Sequence, residues 1–304
     1  MNININKKKK LAAKLSIISN VILTCLKIVV GVISGSLCVI SEAIHSLCDC
    51  LASVLTFFSV LKSAKPADED HPYGHGKYED LSGFIEGLLI IFASLFIILE
   101  STKKIIFGNT MNSDNILCII VMGIAVLVNI LVSSYLFRVA KQSNSISLYA
   151  DGEHLRTDVY SSLGVFIGLI LIKITKHSIL DPIIAILVAV VIYRAGYSIT
   201  KTSFMRLVDH SLSDEDINKI AQIINSCGNS AILNKNSIKT RQVGPSTDID
   251  FTLQFPEDTS ICECHKVCDE IEKRIREVYI NSSISIHSEP ICYKVDCKTC
   301  SKNS

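Results

Sequence analysis

Two short stretches of this chain set an imidazole and a carboxylate one helical turn apart. In Ser41-Glu42-Ala43-Ile44-His45-Ser46-Leu47-Cys48-Asp49, the residues Glu42, His45 and Asp49 fall at i, i+3 and i+7, one stripe of a helix that Ser53 and Thr56 continue. Glu153-His154-Leu155-Arg156-Thr157-Asp158 repeats the spacing, with His and Asp again four apart. Each pair therefore presents a nitrogen and an oxygen to the same point. Two such pairs facing each other supply two imidazoles and two carboxylates, a tetrahedral set that suits a divalent transition metal, zinc first. Both stretches belong to apolar runs. A carboxylate near mid-bilayer costs about 2.5–3.5 kcal/mol on insertion scales, so it marks a functional site with a partner.

Six apolar segments, at about 12–33, 37–61, 81–100, 115–137, 155–174 and 179–199, must position these pairs. Ser34-Gly35-Ser36 and Lys176-His177-Ser178 are the tight turns of two antiparallel hairpins. With 49% hydrophobic residues and mean hydropathy +0.40, the 304-residue chain is too apolar for an ordinary soluble domain. A net charge of +1 gives no argument for nucleic acid as a partner. The distribution of positive charge is more informative. Lys7 to Lys10, Lys14, Lys62, Lys65, Lys77, Arg138, Lys141, Lys201 and Arg206 all fall on one side of the expected bilayer, which places both termini in the cytoplasm. The expected location is the cell (plasma) membrane.

After Thr200 the composition changes. Ser213-Asp214-Glu215-Asp216 caps a helix running to about Ser226, strands are predicted at 237–243 and 247–255, a helix at 261–279 and a strand at 283–288. This αββαβ order predicts a two-layer α+β domain. The chain is thus expected to divide into a basic cytoplasmic N-terminus (1–11), a six-helix transport domain (12–204), a cytoplasmic domain (205–290) and a Cys- and Lys-containing tail (291–304). Seven of the twelve cysteines follow residue 226, on the expected cytoplasmic side, where reduced thiols are the expectation. Cys262 and Cys264 flank the start of the second helix, and Cys297-x-x-Cys300 has the spacing of a thiolate metal clip. Exposed reduced thiols without a metal remain the competing reading.

A second cluster lies between segments two and three. Asp68, His71 and His75 are three ligand-type side chains within eight residues, and Gly74 and Gly76 permit a tight turn around a metal. The whole loop, Lys65-Pro66-Ala67-Asp68-Glu69-Asp70-His71-Pro72-Tyr73-Gly74-His75-Gly76-Lys77, resembles that of the cation diffusion facilitator family, in its bacterial ferrous-iron and zinc efflux branch. The six segments, the His-x-x-x-Asp turns in the second and fifth, and the αββαβ domain carry the resemblance over nearly the whole chain.

The resemblance implies a homodimeric, proton-coupled exporter of divalent metal, with a ferredoxin- or metallochaperone-like cytoplasmic domain. It implies a transport site at His45, Asp49, His154 and Asp158, although the closest characterised branch has Asp where His45 stands. It implies a loop site at Asp68, His71 and His75, either a stop on the path or a regulatory site. It also implies that Lys77 and Asp209 pair to lock the membrane and cytoplasmic parts at the dimer. In the cytoplasmic domain His265 and His287 match two of the family's ligands, and Glu289 replaces an Asp. Asn236 and Thr252 stand where two further His ligands are expected. The implied site there is a single metal held by His265, His287 and Glu289, with Asp250 as a further candidate.

The expected function is a metal-proton antiporter with zinc as first substrate and iron(II), cobalt and cadmium beside it. Metal needs neutral imidazole and ionised carboxylate, so metal and protons compete for the same atoms. No G-x-x-x-x-G-K-[ST] is present, so no nucleotide is expected. The alternatives are the same transporter with manganese as main substrate, a membrane metal sensor, or a metalloenzyme. The last is disfavoured because four protein ligands close a site that catalytic zinc leaves open, and no H-E-x-x-H is present.

Overall fold

The computed structural model describes residues 3–34, 37–107, 116–175, 180–227, 232–233 and 237–291. Within α2 and α5 (ranges below), several side chains lie outside the described residues, among them those of His45 and Asp49, as do Asn236 and the tail with Cys297 and Cys300. The chain divides into two units, residues 2–207 and 208–304.

The first unit is six helices: α1 (Ile3–Ser34), α2 (Leu37–Ser63), α3 (Lys77–Phe107), α4 (Ile116–Ser143), α5 (Ile146–Thr175) and α6 (Leu180–Leu207). Four of them carry, among the described residues, spans long and apolar enough to cross a membrane: Ile5–Val30, Lys77–Lys103, Gly123–Ser143 and Pro182–Leu207. At 27 and 30 residues, α2 and α5 also have the length. All the helices outrun the predicted apolar segments at one or both ends. α1 starts nine residues before the expected segment, and α5 starts at Ile146 rather than 155. Buried hydrogen bonds to Lys9, Glu79 and Ser147 and buried apolar residues such as Val139, Ala140 and Leu148 hold these extensions.

Hydrogen bonds also fix the helix directions. Thr56 with Glu86 and Ser63 with Glu79 run α2 antiparallel to α3. Glu79 with Ser145 and Ser82 with Ser147 show α3 and α5 rising together. Helices α3 and α6 touch through glycine. A Cβ on Gly87 would lie 2.4 Å from Thr200 Oγ1 and 2.8 Å from the Thr200 backbone nitrogen, and one on Gly196 would lie 3.1 Å from the Gly87 carbonyl. Helix pairs in lipid associate by such close approach, because lipid tails give no hydrophobic drive.

The second unit has α7 (Asp214–Cys227), β1 (Ile232–Leu233), β2 (Lys239–Val243), β3 (Ser246–Phe255), α8 (Ile261–Val278) and β4 (Ser282–Pro290). Its α+β layout is the expected one, with β1 added. β3 is the central strand, parallel to β4 on one edge and antiparallel to β2 and β1 on the other. Alternate residues Ile249, Phe251, Leu253 and Phe255 face Ile220 and Ile224 of α7 and Ile271 and Ile275 of α8. The polar residues between them make the open face. Ser260 and Glu263 form a capping box that starts α8.

Candidate metal sites and the polar interior

The loop after α2 brings its three expected ligands together. The His71 backbone N–H donates to Asp68 Oδ1 at 2.8 Å, and its Nδ1 lies 3.2 Å from the same oxygen. His75 Nε2 lies 3.4 Å from Asp68 Oδ2, and the two imidazole centroids are 4.3 Å apart. One ligand atom from each residue falls within 4.8 Å of the others, the only such group of three or more among the described residues. Gly74 makes the turn possible with φ +82°, and its N–H donates to the His71 carbonyl. His75 is 4% exposed, and its Nδ1, 3.2 Å from the Pro66 carbonyl, has its proton there, which leaves the Nε2 lone pair for a metal. Desolvation raises the Asp68 carboxyl, but the His71 N–H and ring together with the His75 ring outweigh it and hold the group below its usual range. The group therefore stays an anionic ligand.

Of the paired His-x-x-x-Asp turns, the structure describes the second. His154 is 6% exposed inside the bundle, and Asp158 stands one turn further along α5. The side chains of His45 and Asp49 are outside the described residues, but α2 carries both. A hydrogen bond sets the register of the two helices: Ser53 Oγ donates to Asp151 Oδ1 at 3.1 Å. With α2 and α5 antiparallel, one turn deeper brings the backbone of Asp49 level with His154 and Leu155, and a second turn brings His45 level with Asp158.

Between this level and the loop end of the bundle lies a polar interior. Glu79 accepts hydrogen bonds from Lys9 of α1, Ser63 of α2 and Ser145 before α5. Lys9 is only 2% exposed, so a residue of the basic N-terminal run is an internal ion-pair partner. Glu86 accepts from Thr56 and Ser82. Asp151 shares Ser53 with Ser16 and Asn20 of α1. Deeper still, Lys27 donates to Ser46 Oγ at 2.6 Å. Asn20 and Glu86 are the interior polar contacts their positions in apolar segments imply. Glu79, Lys9 and Asp151 were not legible as such, although Asp151, His154 and Asp158 repeat the i, i+3, i+7 stripe of Glu42, His45 and Asp49.

The second unit does not gather its expected ligands in one place. The β3–β4 register pairs Thr252 with His287 and Gln254 with Glu289, so His287 and Glu289 share the open face with Asp250. His265 stands on α8, which covers the opposite face, and pairs with Asp269 at 3.5 Å. His287 pairs with Glu289 at 3.3 Å. Cys264 and Cys268 pack against the apolar core, and burial pushes the Cys268 thiol up, away from thiolate. Cys262 is exposed. Within its own unit Lys77 donates to the Leu207 carbonyl at 3.4 Å, and Asp209 accepts from Arg241, a partner sequence reasoning missed.

A family profile described as the cation efflux transmembrane domain matches residues 13–208, and one described as the cation efflux protein cytoplasmic domain matches 212–291. The uncharacterised transporter sll1263 of Synechocystis is 30% identical over 266 residues, which cover 88% of this chain and 85% of the relative. The manganese efflux system protein MneS of Bacillus subtilis is 28% identical over 94% of this chain and 97% of its own. The cation-efflux pump FieF of Shewanella oneidensis is 24% identical over 93% and 94%. Matched in both its units, the chain belongs to the cation efflux family, the cation diffusion facilitators, and is a multi-pass membrane transporter of metal cations rather than an enzyme.

Proposed function

We propose that the chain is a homodimeric antiporter that moves a divalent transition metal, zinc first, out of the cytoplasm in exchange for protons. Its ligands are His45, Asp49, His154 and Asp158. The Ser53–Asp151 hydrogen bond carries this reading, because it puts the two His-x-x-x-Asp turns at one depth. Both termini lie in the cytoplasm, where the basic residues at the loop end meet anionic headgroups. Two imidazoles shift the site toward zinc, cobalt, iron(II) and cadmium and away from harder ions. Protons compete for the same nitrogens and oxygens, and exchange of one for the other is the coupling. The Asp68–His71–His75 cluster is a second metal site.

Manganese is the second reading, favoured by the likeness to MneS over nearly the whole chain. Flux of zinc, iron(II), manganese, cobalt and cadmium into proteoliposomes under an imposed pH gradient decides between them. Zinc flux that rises with the gradient is expected. Flux indifferent to the gradient would sink the antiport, and manganese preferred over zinc would select the second reading. His45→Asp, which restores an oxygen-rich set, is expected to move the manganese-to-zinc ratio upward. An unchanged ratio would remove His45 from the ligands.

A further inference from the structure

The register that aligns the His-x-x-x-Asp turns also aligns two acids that the transport site does not use. Ser82 of α3 and Ser147 of α5 meet at 3.2 Å. The two helices run parallel, so one turn deeper on each brings Glu86 beside Asp151. Helix α2 closes the layer, with Thr56 donating to Glu86 and Ser53 to Asp151. Both acids are 0% exposed. Their hydrogen bonds share a pattern: each carboxylate receives hydroxyl donors on one oxygen, while Glu86 Oε2 and Asp151 Oδ2 have no hydrogen-bond partner among the described residues.

Two carboxylates at one depth, each oriented by hydroxyls and each with one oxygen left over, make an oxygen-ligand set for a cation. Donors on the bound oxygens favour the ionised form while burial and the neighbouring acid oppose it, so the two carboxylates side by side hold either a proton or a cation. The buried Lys9 is committed to Glu79. His154 lies one turn further in, at the transport level. We propose that Glu86 and Asp151 form a second cation-binding layer, one helical turn from the transport site toward the loop end, which takes a partly hydrated divalent cation. The layer offers only two protein carboxylates, so the cation keeps water in its remaining positions, as magnesium and manganese do. The layer thus loads the transport site with ions still shedding their hydration. It favours harder ions than the imidazoles beyond it.

The inference rests on the transporter reading, and the test separates the two. Glu86→Gln and Asp151→Asn keep shape and remove charge. The full-length protein is assayed in proteoliposomes for manganese(II) and zinc(II) flux, with manganese(II) binding measured by titration in detergent. Each variant is expected to raise KM for manganese about tenfold with kcat nearly unchanged, the signature of lost binding that ground and transition states share. The double variant should add little, since both acids serve one ion. No flux in the unaltered protein would sink the transporter reading itself. Normal flux there, with KM and manganese binding unchanged in both variants, would overturn the layer alone. A displaced pH profile with unaltered KM would also overturn it, by showing that the pair holds a proton. If the carboxamide variants fail to fold, Thr56→Val decides. It keeps both charges and removes one orienting donor, so KM should rise about threefold, in keeping with one hydrogen bond, and an unaltered KM rejects the proposal.

Discussion

The two units of this chain are built inside out with respect to each other. In residues 208–304 the core is Ile220, Ile224, Ile249, Phe251, Leu253, Ile271 and Ile275, and charge is outside. In residues 2–207 the buried set includes Lys9, Glu79, Asp80, Glu86 and Asp151, while Val32, Phe96 and Leu131 are exposed. The second unit folds because water rejects its apolar face. The first assembles where lipid rejects nothing apolar, so hydrogen bonds, glycine contacts and the close packing of clusters such as Leu136, Leu148 and Leu155 join its helices. The lesson concerns location of function. An acid in the cytoplasmic unit's surface is ordinary, whereas each acid inside the membrane unit has either a structural bond or an ion to hold.

Five single substitutions break or sharpen this contrast, beginning with the most severe. Asp158→Ala is expected to abolish metal flux in proteoliposomes while the protein elutes as the folded species, because the lost charge must offset a dication in low dielectric. Near-normal flux would misplace the site. Glu79→Ala leaves the Lys9 ammonium buried and unopposed, which costs about 3–5 kcal/mol. Thermal unfolding in detergent should fall sharply, and Lys9→Met together with Glu79→Leu should recover much of the loss. Unaltered unfolding in Glu79→Ala would mean the buried pair contributes nothing.

Ile271→Ala is the counterpart in the other unit and should cost about 2–5 kcal/mol by leaving a cavity. Leu131→Ala, on the lipid-facing surface of α4, should cost almost nothing by comparison. Equal effects would show the inside-out description to be mistaken. The last expected effect is alkaline. Burial, and then its donated bond to Asp216, push the Tyr279 hydroxyl from 10.0 up to about 12. A raised folded pKa means stability that is full below pH 10 and lost as pH rises through 12. Tyr279→Phe should flatten unfolding free energy over that window, and a wild-type protein with no decline there would reject the coupling.

The sequence made some of this visible and hid the rest for physical reasons. The apolar runs announced membrane helices, and the two His-x-x-x-Asp turns stood out because charge is rare there. The loop ligands were legible because all three fall within eight residues, close enough for local geometry to join them. Lys9 and Glu79 were not, since seventy residues separate them and each sits where an interfacial charge is unremarkable. β1 escaped because two residues carry no periodicity, and pairing with Gln254 and Leu253 alone defines it. His265 and His287 looked like partners in sequence, yet helix and strand alternation put them on different faces of one sheet.

Gly87 follows Glu86 directly, and that adjacency gives the α3–α6 crossing the character of a fulcrum. A methyl group there meets the Thr200 backbone, which cannot swing aside as a side-chain tip does. Inserting it would pry the two helices apart at the turn that presents Glu86 to Thr56. A wedge of one carbon on the far side of α3 would thus shift Glu86 against Thr56 without touching either side chain, and leverage rather than chemistry would be lost.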